Sequence, residues 1–399
     1  MSRGGFPEFV SPLTPVNTPV QRSVAKSPAA ASRRILISRT IANGDILMGS
    51  PLLAALRVAL PDAHLTWIVE RREREAVDAS PFIDELLLWD TPFWKGMTRT
   101  GLYPLFWGNA LKLRRLLQER NYDTFISLQP EDWSLLPRIV SSKTRIGVFD
   151  TFRQYHGTTR TSARTRLYTH SFTEKDLPGH RTDQYLLPLQ ALGIPVTADK
   201  RLYIGFTRED EEAAGAFLST HNLQRFVMIA PVTGWPSRNW PHERYAALGD
   251  ALARRHDCAT VLIGGPGDRE AVERVAAGMT TKPVIAAGAF GFRTMAAVLA
   301  RASLLISGDT GPMHAAAAVG TPFLALFGPT PTQDRVPLVG VGRALAHSVP
   351  CGPCDKKRCG NTGDDVLLCL RLITVDEALS AAADLLTGSG RQPLPMLPV

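Results

Sequence analysis

The stretch Leu304-Leu-Ile-Ser-Gly-Asp-Thr-Gly-Pro-Met-His-Ala-Ala-Ala-Ala-Val-Gly320 leaves this chain few folds to choose from. Leu304 to Ile306 is a short apolar run suited to a buried strand. Gly308, Asp309, Thr310 and Gly311 break it, Pro312 suits the first turn of a helix, and Gly320 ends one. The pattern is strand, tight polar turn, helix. Free backbone N–H groups and the positive end of the helix dipole favour an anion in front of such a turn. Thr310 and His314 add candidate side-chain donors. A plain βα turn capped by Asp309 or Thr310 fits the same residues.

The pattern recurs along the chain. Arg34 to Ser38 reads as a strand, the loop from Arg39 runs to Gly44, and from Asp45 the apolar residues Leu47, Leu52, Leu53, Leu56 and Leu60 follow helical spacing. His64 to Val69 is a second strand, so the unit is βαβ and the sheet parallel. Ile83 to Trp89, Tyr122 to Leu128 and Thr144 to Gly147 read as further strands, Leu111 to Glu119 as a helix, and Trp94 to Arg99 as a basic, aromatic loop. Residues 150–182, rich in Arg, Thr and His, read as a long loop or lid. The second half repeats the alternation, with strands at 226–230, 260–263, 283–286, 304–306 and 322–327, and a last helix over 375–386. The expected architecture is α/β: two doubly wound parallel-sheet domains facing a cleft. The boundaries are a disordered extension (1–32), an N-terminal domain (33–200), a C-terminal domain (201–375) and a final helix and tail (376–399).

At 399 residues with 44% hydrophobic content, two domains with ordinary cores are expected. No run approaches about 18 apolar residues, so no transmembrane helix is expected, and residues 1–34 lack the apolar core of a signal peptide. A formal net charge of +8 suits an acidic partner such as a phosphorylated lipid or a nucleotide-linked substrate, or is simply a basic surface. No nucleic-acid-binding motif accompanies it. Four of the five cysteines, Cys351, Cys354, Cys359 and Cys369, lie in one short segment. They read either as a candidate structural zinc set or as buried reduced thiols that shape the tail.

Ligands of doubly wound sheets sit beyond the carboxyl ends of the strands, where the Gly-rich turns lie. In the second half, the loop Pro231 to Pro241 carries Thr233, Gly234 and Arg238, and a planar guanidinium pairs with diphosphate oxygens two at a time. Gly264 to Glu270 ends in acids able to accept from ribose hydroxyls, although Asp268 would also cap the next helix. In the first half, Asp45 follows Gly44 at a helix start. It reads either as an N-cap or as a general base kept ionised by the helix dipole. No loop has a Walker lysine, and no G-x-G-x-x-G follows the first strand.

Taken in order, Ile35-Leu-Ile with Asn43-Gly-Asp45, Ser50 to Arg57, Arg238-Asn-Trp-Pro-His-Glu-Arg-Tyr245, Gly264 to Glu270, Asp309-Thr-Gly-Pro-Met-His314, and Gly328-Pro-Thr330 before Cys351-Gly-Pro-Cys354 resemble glycosyltransferase family 9. These are the ADP-heptose:lipopolysaccharide heptosyltransferases; the likeness runs over roughly residues 33–386, and the cysteine tail is most like the heptosyltransferase II branch. The resemblance implies a GT-B fold, with the acceptor on the N-terminal domain, an ADP-sugar on the C-terminal domain and the last helix packed back onto the first domain. It implies inversion, with Asp45 as the base. Thr233, Gly234 and Arg238 would meet the diphosphate, Glu270 the ribose and Asp309 the sugar, with Thr310, Gly311, Met313 and His314 around the phosphates. The family usually has Lys at the position of Arg238. A phosphorylated lipid-core acceptor would suit Arg71, Arg72, Lys95 and Arg99. No cofactor is required, and the expected place is the cytoplasm, peripheral to the inner membrane. Other readings are transfer of a different nucleotide sugar, a nucleotide-sugar epimerase, and a non-catalytic nucleotide-sugar-binding protein.

Overall fold

Unbroken apolar runs rather than alternating ones build both sheets, because helices cover both faces of each. The strands Phe226–Ala230 and Leu304–Gly308 are buried at all five positions. The computed structural model describes residues 33–128, 135–149 and 165–388, and the backbone of 14–16.

The first unit contains β1 (Thr14–Val16), β2 (Arg34–Ser38), α1 (Asn43–Ala59), β3 (His64–Glu70), β4 (Glu85–Trp89), α2 (Thr91–Arg99), α3 (Tyr103–Glu119), β5 (Thr124–Ser127), α4 (Leu136–Ile139), β6 (Thr144–Val148), β7 (His170–Phe172), α5 (Arg181–Leu186) and α6 (Pro188–Ala191). The second contains α7 (Arg208–Thr220), β8 (Phe226–Ala230), α8 (His242–His256), β9 (Ala259–Leu262), α9 (Arg269–Ala277), β10 (Val284–Ile285), α10 (Phe292–Leu299), β11 (Leu304–Gly308), α11 (Gly311–Val319), β12 (Phe323–Leu326), β13 (Gly342–Leu345), α12 (Leu368–Arg371) and α13 (Val375–Thr387).

The sheet orders are β1-β4-β3-β2-β5-β6-β7 and β10-β9-β8-β11-β12-β13. All pairs are parallel except β1 with β4. Both sheets therefore reverse winding beside their central strands, between β2 and β5 and between β8 and β11, which opens a crevice there. The sequence-derived fold, two doubly wound units, is the one observed. Helices α1 and α11 pack on each other, and one apolar cluster takes in Leu47 of α1 and Met313 and Ala316 of α11.

Four local expectations differ from the structure. Trp94 to Arg99, read as a loop, belongs to helix α2. Asp90 accepts a 2.9 Å hydrogen bond from the Phe93 N–H, Pro92 sits in the first turn, and Trp94 and Met97 bury one face. Inside the extension expected to be disordered, Thr14–Val16 adds an antiparallel edge strand to β4; the rest of 1–32 lies outside the described residues. The last helix does not return to the first domain. Helix α13 packs against α8 and β12 through Ala378, Ala381 and Ala382, and the segment before it is held where Trp240 Nε1 donates to the Ile373 carbonyl at 3.1 Å. The apolar face of α13 is satisfied within the second unit. Of the loop expected at 150–182, residues 150–164 lie outside the described residues, and His170–Phe172 forms the edge strand β7. Among the described residues, no helix is long and apolar enough to cross a membrane.

Candidate active site

The loop after β2 is pinned by its backbone: the Arg39 carbonyl accepts from Trp67 Nε1 at 3.1 Å, and the Thr40 carbonyl from the Glu70 N–H. This aims the Arg39 side chain into the crevice, where Nη2 lies 2.6 Å from Asp45 Oδ2. The Tyr185 hydroxyl donates to Asp45 Oδ1 at 3.2 Å. Burial by itself would raise the Asp45 carboxyl. Arg39 first, then Arg181 and Arg335, more than offset that, and its pKa lies well below the ordinary carboxylate range.

The opposite wall is built from the second sheet. The Arg238 guanidinium stacks 3.7 Å from the centre of the Trp235 ring. Its Nη1 lies 3.1 Å from Asp309 Oδ2 and its Nη2 3.7 Å from Asp355 Oδ1. Arg335 reaches the same two carboxylates at 3.9 and 3.7 Å. Gly308 permits the approach of the first loop, since a Cβ there would sit 2.8 Å from the Arg238 carbonyl oxygen and 3.0 Å from Thr233 Cγ2. His314 crosses to the first domain, where a Cβ on Gly44 would meet its Cδ2 at 2.6 Å. Burial pushes the His314 imidazole down to about 4, so it is neutral at pH 7.

These walls are not self-satisfied. Arg238 Nε and Nη2, Arg335 Nε, Thr330 Oγ1 and His314 Nδ1 are buried without a hydrogen-bond partner. So are the carboxylate oxygens Asp309 Oδ2 and Asp355 Oδ1 of the same wall. Folded proteins rarely leave buried polar atoms so, and a cluster of them points to a polar ligand. Helix α11 begins here, and its N-cap Thr310 makes no side-chain capping bond. Of the two readings of this turn, the side-chain-capped one is not the conformation observed.

Asp45, Arg238, Asp309, Thr310, Gly311 and His314 thus converge. Gly311 approaches Asn43 of the first domain, within 3.4 Å for an added Cβ. Met313 is fully buried in the core beneath them. The Thr233 hydroxyl is spent within its own loop, donating to the Trp235 carbonyl or to Asn239 Oδ1, and Gly234 is exposed. Glu270 lies apart on the exposed face of α9, paired with Arg274 at 2.6 Å, while Asp268 accepts from the Gly265 N–H. Arg71 and Arg72 open the turn after β3, and Lys95 and Arg99 lie on α2; all four are exposed. Among the described residues, no three His, Cys, Asp or Glu side chains come together as a metal-binding set, and Cys351, Cys354, Cys359 and Cys369 are all free thiols.

Sequence reasoning did not single out Arg39, Arg181, Tyr185, Arg335 or Asp355. Arg39 had a usable signal, a cation directly after the first strand. Tyr185 lies 140 positions from Asp45 in the chain and had none.

A sequence model of glycosyltransferase family 9 (heptosyltransferase) matches residues 110–363, more than half of the chain. The chain belongs to glycosyltransferase family 9. As a family 9 glycosyltransferase it is an enzyme of the heptosyltransferase type. Lipopolysaccharide heptosyltransferase 1 of Pseudomonas aeruginosa is 27% identical over 340 residues, which cover 82% of this chain and 87% of the relative. The lipopolysaccharide core heptosyltransferase OpsX of Haemophilus influenzae is 23% identical over 300 residues, 74% of this chain and 79% of the relative. The crystal structure of a family 9 glycosyltransferase from Veillonella parvula superposes with a TM-score of 0.71 at 26% identity, covering 89% of this chain and 97% of that one. The Escherichia coli ADP-heptose lipopolysaccharide heptosyltransferase II shares the fold, with a TM-score of 0.69 at 20% identity over 89% and 98% of the two chains.

Proposed function

We propose that this family 9 glycosyltransferase moves heptose from ADP-heptose to an inner-core hydroxyl of lipopolysaccharide, at the cytoplasmic side of the inner membrane. The observation that carries this reading is the crevice itself: an ionised carboxylate, Asp45, faces a wall of buried, partly unsatisfied cationic donors around Arg238 and Arg335. The names of the relatives supply the sugar and the acceptor class.

In this scheme Arg238, Arg335 and the N–H groups at the start of α11 hold the donor diphosphate. The acceptor hydroxyl attacks the anomeric carbon from the side opposite the phosphate, the C–O bond to the β-phosphate breaks, and ADP leaves with that electron pair. Configuration inverts. The hydroxyl proton passes to Asp45. A carboxylate held so far down by Arg39 is a weak base, so proton transfer comes late, after C–O bond formation has made the hydroxyl acidic. The two arginines and the helix dipole offset the charge on the departing diphosphate without a metal ion. Glu270 reaches a ribose only by leaving Arg274, and an exposed pair of that kind is worth under about 1 kcal/mol. Asp309, already held by Arg238, supports the turn or meets the sugar.

Asp45→Asn should lower kcat by at least about 100-fold while the protein stays folded and binds ADP, at a lowered melting temperature because the buried Arg39 loses its carboxylate partner. Arg238→Ala should weaken ADP binding. Turnover of Asp45→Asn at the wild-type rate would remove Asp45 as the base. A thermal-shift panel that favoured UDP-sugars over ADP-heptose would overturn the donor.

A further inference from the structure

Helices α2 and α3 carry an exposed surface apart from the residues that converge on Asp45 and Arg238. Leu102, Tyr103, Leu105, Trp107 and Leu111 are 41–60% exposed, and they are five of the fourteen exposed large apolar side chains among the described residues. All five fall within ten consecutive positions. Between Asp90 and Glu119 there is no acidic residue, while Lys95, Arg99, Lys112, Arg114 and Arg115 are basic and exposed. On α3, Tyr103, Trp107, Leu111 and Arg114 follow 4, 4, 3 spacing and share one face. The core-facing side of the helix is a separate set, Phe106, Ala110, Leu113 and Leu117. Arg114 also lines a cavity of about 320 Å³ with Arg138, Arg145 and Arg166, and no acidic side chain contributes to it. One wall of that cavity is fixed: Arg145 donates to the carbonyls of Leu167 and Ser142.

We infer that the α2–α3 face is a docking surface for an anionic phospholipid bilayer, with the arginine-lined cavity taking a lipid phosphate. The charge pattern picks the occupant. Exposed Trp, Tyr and Leu flanked by cations only are what a helix lying in a headgroup layer presents. A nucleic acid would use the cations and could stack on Tyr103 and Trp107, but would leave Leu102, Leu105 and Leu111 in water. The inference deepens the membrane-side acceptor reading above but requires no particular sugar or acceptor.

The test is flotation of the full chain with vesicles of phosphatidylcholine alone and with about one third phosphatidylglycerol, at low and high salt. The wild type should float with the anionic vesicles only, and less at high salt. Lys112→Glu with Arg114→Glu and Arg115→Glu should lower the partition by roughly fivefold or more per reversed charge. Trp107→Ser with Leu111→Ser should weaken it while leaving its salt dependence. ADP binding and the melting curve report the fold of each variant. Equal binding to both vesicle types would overturn the inference. So would variants that float like the wild type, or binding to a single-stranded RNA in place of vesicles. Loss of ADP-heptose turnover with intact flotation would count against the proposed reaction and leave this surface standing.

Discussion

His314 sits 3% exposed at the crevice, its Nδ1 without a hydrogen-bond partner. Its pKa is pushed by burial from 6.5 down to about 4. Between those values the unfolded chain binds a proton at this position and the folded chain does not. The stability it contributes is therefore complete above about pH 6.5 and is lost as pH falls towards 4. For this one group the loss from pH 7 to pH 5 is about 2 kcal/mol. His314→Gln should remove that part of the pH dependence, read from urea unfolding at the two pH values. Equal slopes in the two proteins would mean that the imidazole is not held neutral. Asp45 runs the other way in function: because Arg39, Arg181 and Arg335 keep it ionised far into acid, its protonation does not limit the rate at mildly acidic pH.

At the scale of elements, the approach of α1 to α11 sets the width of the crevice. Gly44, in the first turn of α1, is where His314 of α11 comes closest. An alanine there would gain a little helix propensity, but its methyl would press on a ring that the core leaves nowhere to go. Overpacking of that kind costs about 1–3 kcal/mol, so the clash wins. Gly44→Ala should lower the unfolding free energy by that amount and weaken ADP binding, because it displaces His314 at the start of α11, where the diphosphate is proposed to sit. Wild-type stability and affinity in this variant would show that α1 and α11 stand further apart. The same logic explains α2. Its capping Asp90, Pro92 and the buried pair Trp94 and Met97 are helix signals, but a short, basic, aromatic stretch masks their periodicity.

Across the whole molecule, Arg293 is a polar tie between the halves. It lies at the start of α10, with Nη1 2.5 Å from Asp78 Oδ1 of the first unit and Nε 2.6 Å from Asp210 Oδ2 of α7. Its backbone N–H also donates to Glu75. Burial raises the Asp78 carboxyl above its ordinary value even with Arg293 beside it. Removing the cation leaves buried carboxylates uncompensated, which costs about 3–5 kcal/mol. Arg293→Ala should lower the melting temperature and separate the transitions of the two units in calorimetry. A single transition at the wild-type temperature would assign the interface to apolar packing alone.

Local chemistry was enough for much of this. Apolar runs ended by glycine turns and followed by helical spacing specify doubly wound sheets, because period and turn residues are properties of neighbours along the chain. For the same reason the turn Asp309 to His314 could be picked out before any fold was known, and a helix start near Asp45 as well, although the helix begins at Asn43 and Ala42 rather than Asp45 is its N-cap. Residues that matter through distant partners could not. Arg39, Tyr185, Arg335 and Asp355 are unremarkable in their own segments and join Asp45 and Asp309 only when two sheets are placed edge to crevice. Glu270 is a local pattern of another kind: its i,i+4 pairing with Arg274 on an exposed helix face follows from the sequence of α9 alone. The packing of α13 onto α8 was equally undecidable from its own amphipathic pattern, since an apolar face specifies that it is covered but not by what. Tertiary structure alone made that choice, and with it the ring of opposed charges that turns two strand-end turns into one site.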